Sequence, residues 1–320
     1  MIDETKLRDT PGHARDEGAP DFADGGLIQR AKLYRPPVPS DLVPRPRLLG
    51  RLDEGRSKPL ILISAPPGYG KSVLVSNWLE SVEWPGVWFS LDAHDAHLRQ
   101  FMAHLVAAVR TAFPRACHET LALIGASQLR LSSLVVTLSN DLDAIGQPFV
   151  LALDDYHRLP ATSPVHELLG ALLDHPPIPL HLVILTRRDP PLAVARLRAM
   201  EQVIDLRAQD LRFSKDEARS LFEETLGLTV GEKTLVGLDR EQEGWAAGLR
   251  LASLAARRSE DPEAFPEAPE RGHPADPGVP ATGSHRAPAG RAARLVAEER
   301  RSRPHLRAAV RGGLRRRRRG

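Results

Sequence analysis

A short segment of the chain combines glycines, a lysine and a serine at the spacing of a phosphate-binding loop. After an apolar run that ends at Ala65, the sequence reads Pro-Pro-Gly68-Tyr-Gly70-Lys71-Ser72, and a helix-like segment follows. The phosphate-loop pattern is Gly, four residues and Gly-Lys-Ser/Thr between a strand and a helix, and here Ala65 takes the first glycine position. Glycines permit backbone conformations that turn successive N–H groups toward one anion. The spacing therefore predicts a phosphate loop, and a chance match in an ordinary strand-turn-helix is the alternative.

The residues of this loop have predicted roles in binding a nucleotide. Lys71 supplies a positive charge for the β- and γ-phosphates, and Ser72 offers a hydroxyl to Mg²⁺. The helix N-terminus adds a partial positive charge. The predicted nucleotide-binding residues of the loop are Pro67, Gly68, Tyr69, Gly70, Lys71, Ser72 and Val73.

Two adjacent carboxylates, Asp154 and Asp155, end a second apolar run. Carboxylates at an apolar edge are energetically costly unless a cation or water binds them. In doubly wound sheets, ligands bind at the carboxyl ends of the strands. We predict that Asp154 holds Mg²⁺, mostly through water, and that Asp155 acts as a general base or orients the attacking water. A solvated strand end is the alternative.

An arginine pair follows a third apolar run, in the order Thr186-Arg187-Arg188. An arginine at a neighbouring strand tip can contact the γ-phosphate, because the guanidinium fork binds phosphate oxygens in a bidentate way. A surface arginine pair without a role is the alternative.

The elements that must position these residues form a strand and helix alternation. Continuous apolar runs indicate strands buried on both faces, and helix-like segments between them, such as 98–113, indicate a parallel sheet. The sequence therefore predicts an α/β fold: a doubly wound, P-loop NTPase sheet of about five strands, followed by a small helical domain. The predicted strands lie in Pro59–Ala65, Gly86–Asp92, Pro148–Tyr156, Leu180–Arg188 and Glu201–Arg207.

The pattern becomes helical after Leu211. Ser214 and Glu217 have the spacing of a capping box at the start of a helix over 213–227, and a second amphipathic helix is predicted over 243–258. The predicted organisation is a disordered N-terminus (1–26), a P-loop nucleotide-binding domain with an extended lead-in (27–207), a helical domain (208–258) and a low-complexity Arg/Pro-rich tail that is disordered or frameshifted (259–320).

Charge and cysteine content narrow the class of protein. The chain has a formal net charge of +3, yet residues 259–320 contain 14 arginines against 8 acids, so the remainder is mildly acidic. A basic balance confined to a tail is weak support for nucleic-acid binding. Cys117 is the single cysteine, no apolar run is as long as a transmembrane helix, and no signal peptide is apparent. These features predict a cytoplasmic protein without membrane contact.

In the order of its motifs, the chain resembles the N-terminal ATPase of large MalT-like, LuxR-type transcription regulators, which belong to the STAND class of signal-transduction ATPases. The phosphate loop is followed by VWFSLD, LALDDYH, LTRRDPPLAVARLRA, DLRFSKDEA and EGWAAGLRLASLA, and the resemblance covers residues 32–258. It implies that Arg45, in the lead-in, lies near the adenine, and that Arg187 rather than Arg188 is the family's arginine. The residues it implies for binding and processing ATP with Mg²⁺ are Lys71, Ser72, Asp154, Asp155 and Arg187.

The resemblance also implies how the protein works. In that family ADP holds a closed monomer, and ATP with a small-molecule inducer opens it for self-association. We therefore expect a slowly hydrolysing ATPase switch that binds ATP or ADP. A motor or phosphotransfer ATPase that uses the same loop is the alternative.

Two departures from the family qualify this expectation. Ala246 stands where many relatives have a proline that contacts the base, and no helix-turn-helix pattern follows Arg258. The Arg-, Pro-, Ala- and Gly-rich tail is typical of a GC-rich gene translated in a shifted frame, so we expect a truncated or frameshifted product. We expect no sequence-specific DNA binding by this chain. Nonspecific nucleic-acid binding through the tail is a further alternative.

Overall fold

A parallel sheet of five strands forms the centre of the structure, a computed structural model that describes residues 28–226 together with Gly248 and Arg250. The spatial order is β2-β3-β4-β1-β5, so β1 lies between β4 and β5, and β4 separates β1 from β3. All carboxyl ends therefore meet at one edge. The strands are β1 (Leu60–Ser64), β2 (Gly86–Ser90), β3 (Phe149–Asp154), β4 (Leu180–Thr186) and β5 (Val203–Arg207).

Helices cover both faces of the sheet, which explains why its strands are continuously apolar. Leu60 and Leu62 pack on one face among residues of α3, α5 and α6, while Ile61 and Ile63 pack on the other against α1 and α2. The helices are α1 (Pro46–Glu54), α2 (Lys71–Ser81), α3 (Leu98–Ala112), α4 (His118–Ile124), α5 (Leu131–Asp143), α6 (Val165–Asp174), α7 (Val194–Ala199) and α8 (Lys215–Leu226).

A buried ionic network holds the start of the lead-in beside β2 and α3. After a short 3-10 helix, Arg30–Leu33, the chain runs without regular structure to Arg45. Lys32 Nζ donates to Asp92 Oδ2 at 2.7 Å and to Asp95 Oδ2 at 2.8 Å. Asp95 is fully buried and also bonds His104 Nδ1 at 2.8 Å. Because a buried charge needs such partners, this network holds Lys32, and with it the start of the lead-in, in one position against the sheet.

The predicted fold class is confirmed, and each predicted strand and the helix predicted over 98–113 are present. The capping box is also confirmed: Ser214 N donates to Glu217 Oε2 at 2.9 Å, and Glu217 N donates to Ser214 Oγ at 3.1 Å. No helix in the described residues has the length and apolar character needed to cross a bilayer.

Three predictions lie wholly or largely outside the described residues. They are the disordered N-terminus at 1–26, the helix at 243–258 except Gly248 and Arg250, and the tail at 259–320. The division into domains stays a prediction.

Candidate nucleotide-binding site

The loop that follows β1 has the backbone shape of an anion-binding turn. Gly68 and Gly70 have φ angles of 82° and 76°, in the left-handed region that glycine adopts at little cost. A Cβ built on Gly70 meets no atom within 4 Å, so the backbone conformation rather than space requires this glycine. Gly70 is the N-cap of α2, which places the N-terminus of an 11-residue helix at the loop. The arrangement suits a phosphate group.

Lys71 turns back over the loop. Its ammonium donates to the carbonyl oxygens of Ala65 at 2.8 Å and Pro66 at 3.0 Å. Burial lowers the pKa of Lys71, while the negative charge of Asp154 opposes that shift. A partly buried ammonium held by neutral carbonyls is poised to exchange them for phosphate oxygens, which form stronger, charge-assisted hydrogen bonds.

Ser72 and Asp154, the two predicted metal ligands, are in contact. Asp154 ends β3 with 8% of its surface exposed, and its carboxylate accepts from the Ser72 hydroxyl and from the Asp155 N–H at 2.8 Å. Burial raises the pKa of Asp154, and the hydrogen bond from Ser72 opposes the rise. Hard oxygen donors are the ligands that Mg²⁺ prefers. Within the described residues no three His, Cys, Asp or Glu side chains cluster as a metal site, so an ion here would take phosphate oxygens and water as its other ligands.

Asp155 lies beside Asp154 in a left-handed conformation with φ of 56°. Its side chain is 42% exposed, and its oxygens lie 3.9 Å from His157 Nδ1 and 3.7 Å from Arg158 Nε. The carboxylate therefore faces two basic groups and solvent.

His157 belongs to the same site, although no role was predicted for it. Its side chain is 14% exposed, and Nδ1 is buried with no hydrogen-bond partner among the residues that the structure describes. Burial and then the charge of Arg187 lower its pKa, while Asp155 opposes them. The sequence placed this histidine two residues after the paired acids, but nothing in that spacing distinguishes a site residue from a loop residue.

Arg187 lies at the end of β4, between the phosphate loop and the paired acids. The residue is exposed, and its charge lowers the pKa of both Lys71 and His157, which places it within electrostatic reach of both. Thr186 shapes the turn, since its hydroxyl donates to Arg188 O at 2.7 Å. The sheet order thus brings Arg187 beside the phosphate loop, and its contact with a γ-phosphate stays a prediction.

The turn after Arg188 is held in place by a residue at the end of β5. The Arg207 guanidinium, at the end of β5, bonds both carboxylate oxygens of Asp189. The hydrogen bond from Arg207 holds the pKa of Asp189 below its usual range. This pair ties the β4 and β5 ends together across β1.

A cavity of about 360 Å³ adjoins the phosphate loop. Its walls are mostly apolar, and its size lies within the range of small-molecule sites. One wall is α2, another is the lead-in, and the third comes from the α8 region. The lining residues are Pro39, Asp41, Leu42, Val43, Arg45, Gly68, Gly70, Val73, Leu74, Asn77, Phe213, Leu221 and Arg250.

Arg45 lines this cavity, but its guanidinium is bonded to the α8 region. It donates to Leu211 O at 2.9 Å, to Arg212 O at 2.7 Å and to Glu217 Oε2 at 3.1 Å. It also stacks over the Phe213 ring, 4.3 Å from the centroid. Burial lowers the pKa of Arg45, and Glu217 opposes the shift. Arg45 therefore shapes the cavity wall, and direct contact with a base stays a prediction.

The remaining predicted loop residues have different surroundings. Pro67 is exposed, Val73 lines the cavity, and the Tyr69 side chain is 8% exposed and packs in the core on the α2 face of the sheet. Only the backbone of Tyr69 is thus placed to serve a ligand. The predicted binding role of each stays a prediction.

Comparisons with known proteins show which proteins this chain is similar to. Residues 47–185 match the family model described as AAA ATPase domain. The chain is 36% identical over 234 residues to the HTH-type transcriptional regulator MalT of Serratia proteamaculans, covering 73% of this chain and 26% of that protein. It is also 36% identical over 235 residues to the MalT protein of Cronobacter sakazakii, with the same coverage. The chain spans about a quarter of the length of these relatives. The predicted resemblance to MalT-like regulators is confirmed.

The fold is similar to that of a solved signal transduction ATPase with numerous domains, a STAND protein with a tetratricopeptide repeat sensor from Pyrococcus horikoshii. The TM-score is 0.52 at 18% identity, covering 71% of this chain and 31% of that one. At this identity the likeness shows the fold alone.

Proposed function

We propose that the chain is an ATP- and Mg²⁺-binding module of a MalT-like, LuxR-type regulator, hydrolysing ATP slowly and acting as a switch. One observation carries the proposal: the phosphate loop, the Ser72–Asp154 pair and Arg187 meet at one sheet edge, beside an apolar cavity of about 360 Å³. Phosphates and a base would then occupy adjacent places. The identity to MalT supports the regulatory context.

Different residues of the chain would bind different parts of the nucleotide. The loop N–H groups and the N-terminus of α2 would bind phosphate oxygens, and Lys71 would leave its two carbonyl partners for the β- and γ-phosphates. Ser72 and Asp154 would hold Mg²⁺, which when bound neutralises phosphate charge. The cavity between α2 and Phe213 would take the adenine.

Hydrolysis would depend on Asp155 and Arg187. Asp155 would orient the attacking water or accept its proton, and Arg187 would stabilise charge on the γ-phosphate. The Arg158 guanidinium lies 3.7 Å from the Asp155 carboxylate, and both side chains are about half exposed to solvent.

The regulatory setting is part of the proposal. We place the protein in the cytoplasm, with a small-molecule inducer and self-association in the ATP state, and without membrane contact. The proposed domain bounds are those predicted from the sequence, 27–207 and 208–258. The proposal assigns no sequence-specific DNA contact to this chain.

Calorimetric titration of ATP and ADP with Mg²⁺ tests the proposal. Lys71→Ala should lower ATP affinity on the order of 100-fold, since two charge-assisted hydrogen bonds are lost. Lys58→Ala is the matched control, because Lys58 lies two residues before β1, at the opposite end of that strand from the phosphate loop. Equal ATP affinity in the wild type and Lys71→Ala would refute the phosphate-loop assignment.

A further inference from the structure

Asn77 occupies a distinctive place in the cavity wall. It lies on α2 seven residues after Gly70 and four after Val73, and all three line the cavity. These spacings put them on one face of the helix, the face that leads from the phosphate loop into the cavity. Asn77 is therefore one helical turn further from the phosphates than Val73, at the depth where a base would lie.

The other polar groups of the cavity wall are engaged elsewhere. Arg45 is bonded to Glu217 and to backbone carbonyls, and Asp41 pairs with Arg250 at 2.7 Å. The Asn77 side chain, by contrast, makes no hydrogen bond to any described residue, and the residue is only partly exposed. Its amide oxygen and nitrogen are therefore available to a ligand in the cavity that offers both a donor and an acceptor.

We propose that the Asn77 carboxamide reads the edge of the bound base and sets a preference for adenine. This rests on the proposed function, since it names the group that selects the nucleotide. Adenine presents an exocyclic amino donor next to a ring-nitrogen acceptor, and one carboxamide meets both, its oxygen accepting and its amide nitrogen donating. Arg45, a donor without an acceptor, cannot make this pair.

A carboxylate at this position should reverse the preference between adenine and guanine. Asn77→Asp keeps the acceptor for the amino group but puts a second acceptor against the ring nitrogen of adenine. Guanine presents a ring N–H and an amino group, which are both donors that a carboxylate accepts. The substitution should therefore shift preference from ATP toward GTP, whereas Asn77→Leu should reduce the preference without reversing it.

The experiment is calorimetric titration of wild type, Asn77→Asp, Asn77→Leu and Asn140→Asp with ATP, GTP and inorganic tripolyphosphate. We expect the ATP-to-GTP affinity ratio to fall about 10- to 100-fold in Asn77→Asp and about tenfold in Asn77→Leu, the range of one bidentate base contact. Using the ratio cancels any general effect of added charge on the triphosphate. Asn140, exposed on α5, is the matched control and should leave the ratio unchanged.

The two proposals fail in different ways. An unchanged ratio in both Asn77 variants, with Lys71-dependent ATP binding intact, would overturn the role of Asn77 alone. An equal fall for ATP, GTP and tripolyphosphate in Asn77→Leu, which adds no charge, would also overturn it, because that pattern means a disturbed loop. Wild-type protein that binds neither nucleotide would overturn the proposed function itself.

Discussion

Removing the Glu217 carboxylate should destabilise the structure through two separate contacts. Glu217 Oε2 caps the N-terminus of α8 by accepting from Ser214 N, and it also pairs with the Arg45 guanidinium at 3.1 Å. The side chains of Arg45 and Glu217 are 7% and 10% exposed, so the pair is largely dry. Glu217→Ala therefore leaves a buried cation without its counter-ion and removes the acceptor of the Ser214 N–H, while the bond from the N–H of residue 217 to Ser214 Oγ remains.

The expected magnitude follows from these contacts. Breaking a buried pair by removing one partner costs about 3–5 kcal/mol. Arg45 keeps two carbonyl acceptors and the Phe213 ring, so we take about 2–3 kcal/mol for this term. The lost hydrogen bond from Ser214 N adds about 1 kcal/mol. Arg47, 3.7 Å from Glu217 and about half exposed, adds little. A loss of about 3–4 kcal/mol corresponds to a fall in Tm of about 6–16 °C for a domain of this size.

Scanning calorimetry of the full chain measures this change. Glu217→Gln should show a smaller fall in Tm, because the amide oxygen can still accept from Ser214 N and only the negative charge is lost. Glu223→Ala, on an exposed position of the same helix, is the matched control and should move Tm by no more than about 2 °C. If Glu217→Ala behaves like Glu223→Ala, the reasoning that Arg45 and Glu217 form a stabilising buried pair is wrong.

Two further predictions concern catalysis and packing. Asp155→Asn should still bind ATP in calorimetry, while its turnover, measured by phosphate release, should fall on the order of 10²–10⁴-fold. If Asp155→Asn turns over normally and Asp154→Asn loses turnover, the roles of the two acids were assigned wrongly. Cys117 is 1% exposed and burial raises its pKa to about 12, so N-ethylmaleimide should label it, by mass spectrometry, only as the protein unfolds. Labelling of the folded protein at the rate of a free thiol would contradict the buried position.

The sequence was enough to predict the sheet and the shape of the loop after β1, the proposed phosphate end of the site, because both depend on local signals. The apolar runs marked strands buried on both faces, and the Gly-Lys-Ser motif marked a loop whose glycines do have positive φ. The carboxyl ends of parallel strands share one edge, which brings Asp154 and Arg187 to the loop.

The cavity beside Arg45 and Asn77, the proposed base end of the site, could not be predicted in the same way. The contact between Arg45 and Glu217 spans 172 positions, and the capping-box spacing gave no sign that Glu217 also binds an arginine. Asn77 is an unremarkable residue in a helical pattern until the lead-in and Phe213 close the cavity around it. Likewise, nothing local distinguishes Lys32 from a surface lysine, although it is buried against Asp95.

The two ends of the site therefore differ in what holds them. The phosphate end consists of contacts close in sequence or fixed by strand pairing, such as the Lys71 bonds to Ala65 and Pro66. The base end depends on long-range side-chain contacts between the lead-in and α8, centred on Arg45. A rearrangement of α8 would thus alter the walls around the base while leaving the loop intact. Its effect should appear in the affinities for ATP and ADP and be absent from that for inorganic tripolyphosphate, which has no base to contact those walls.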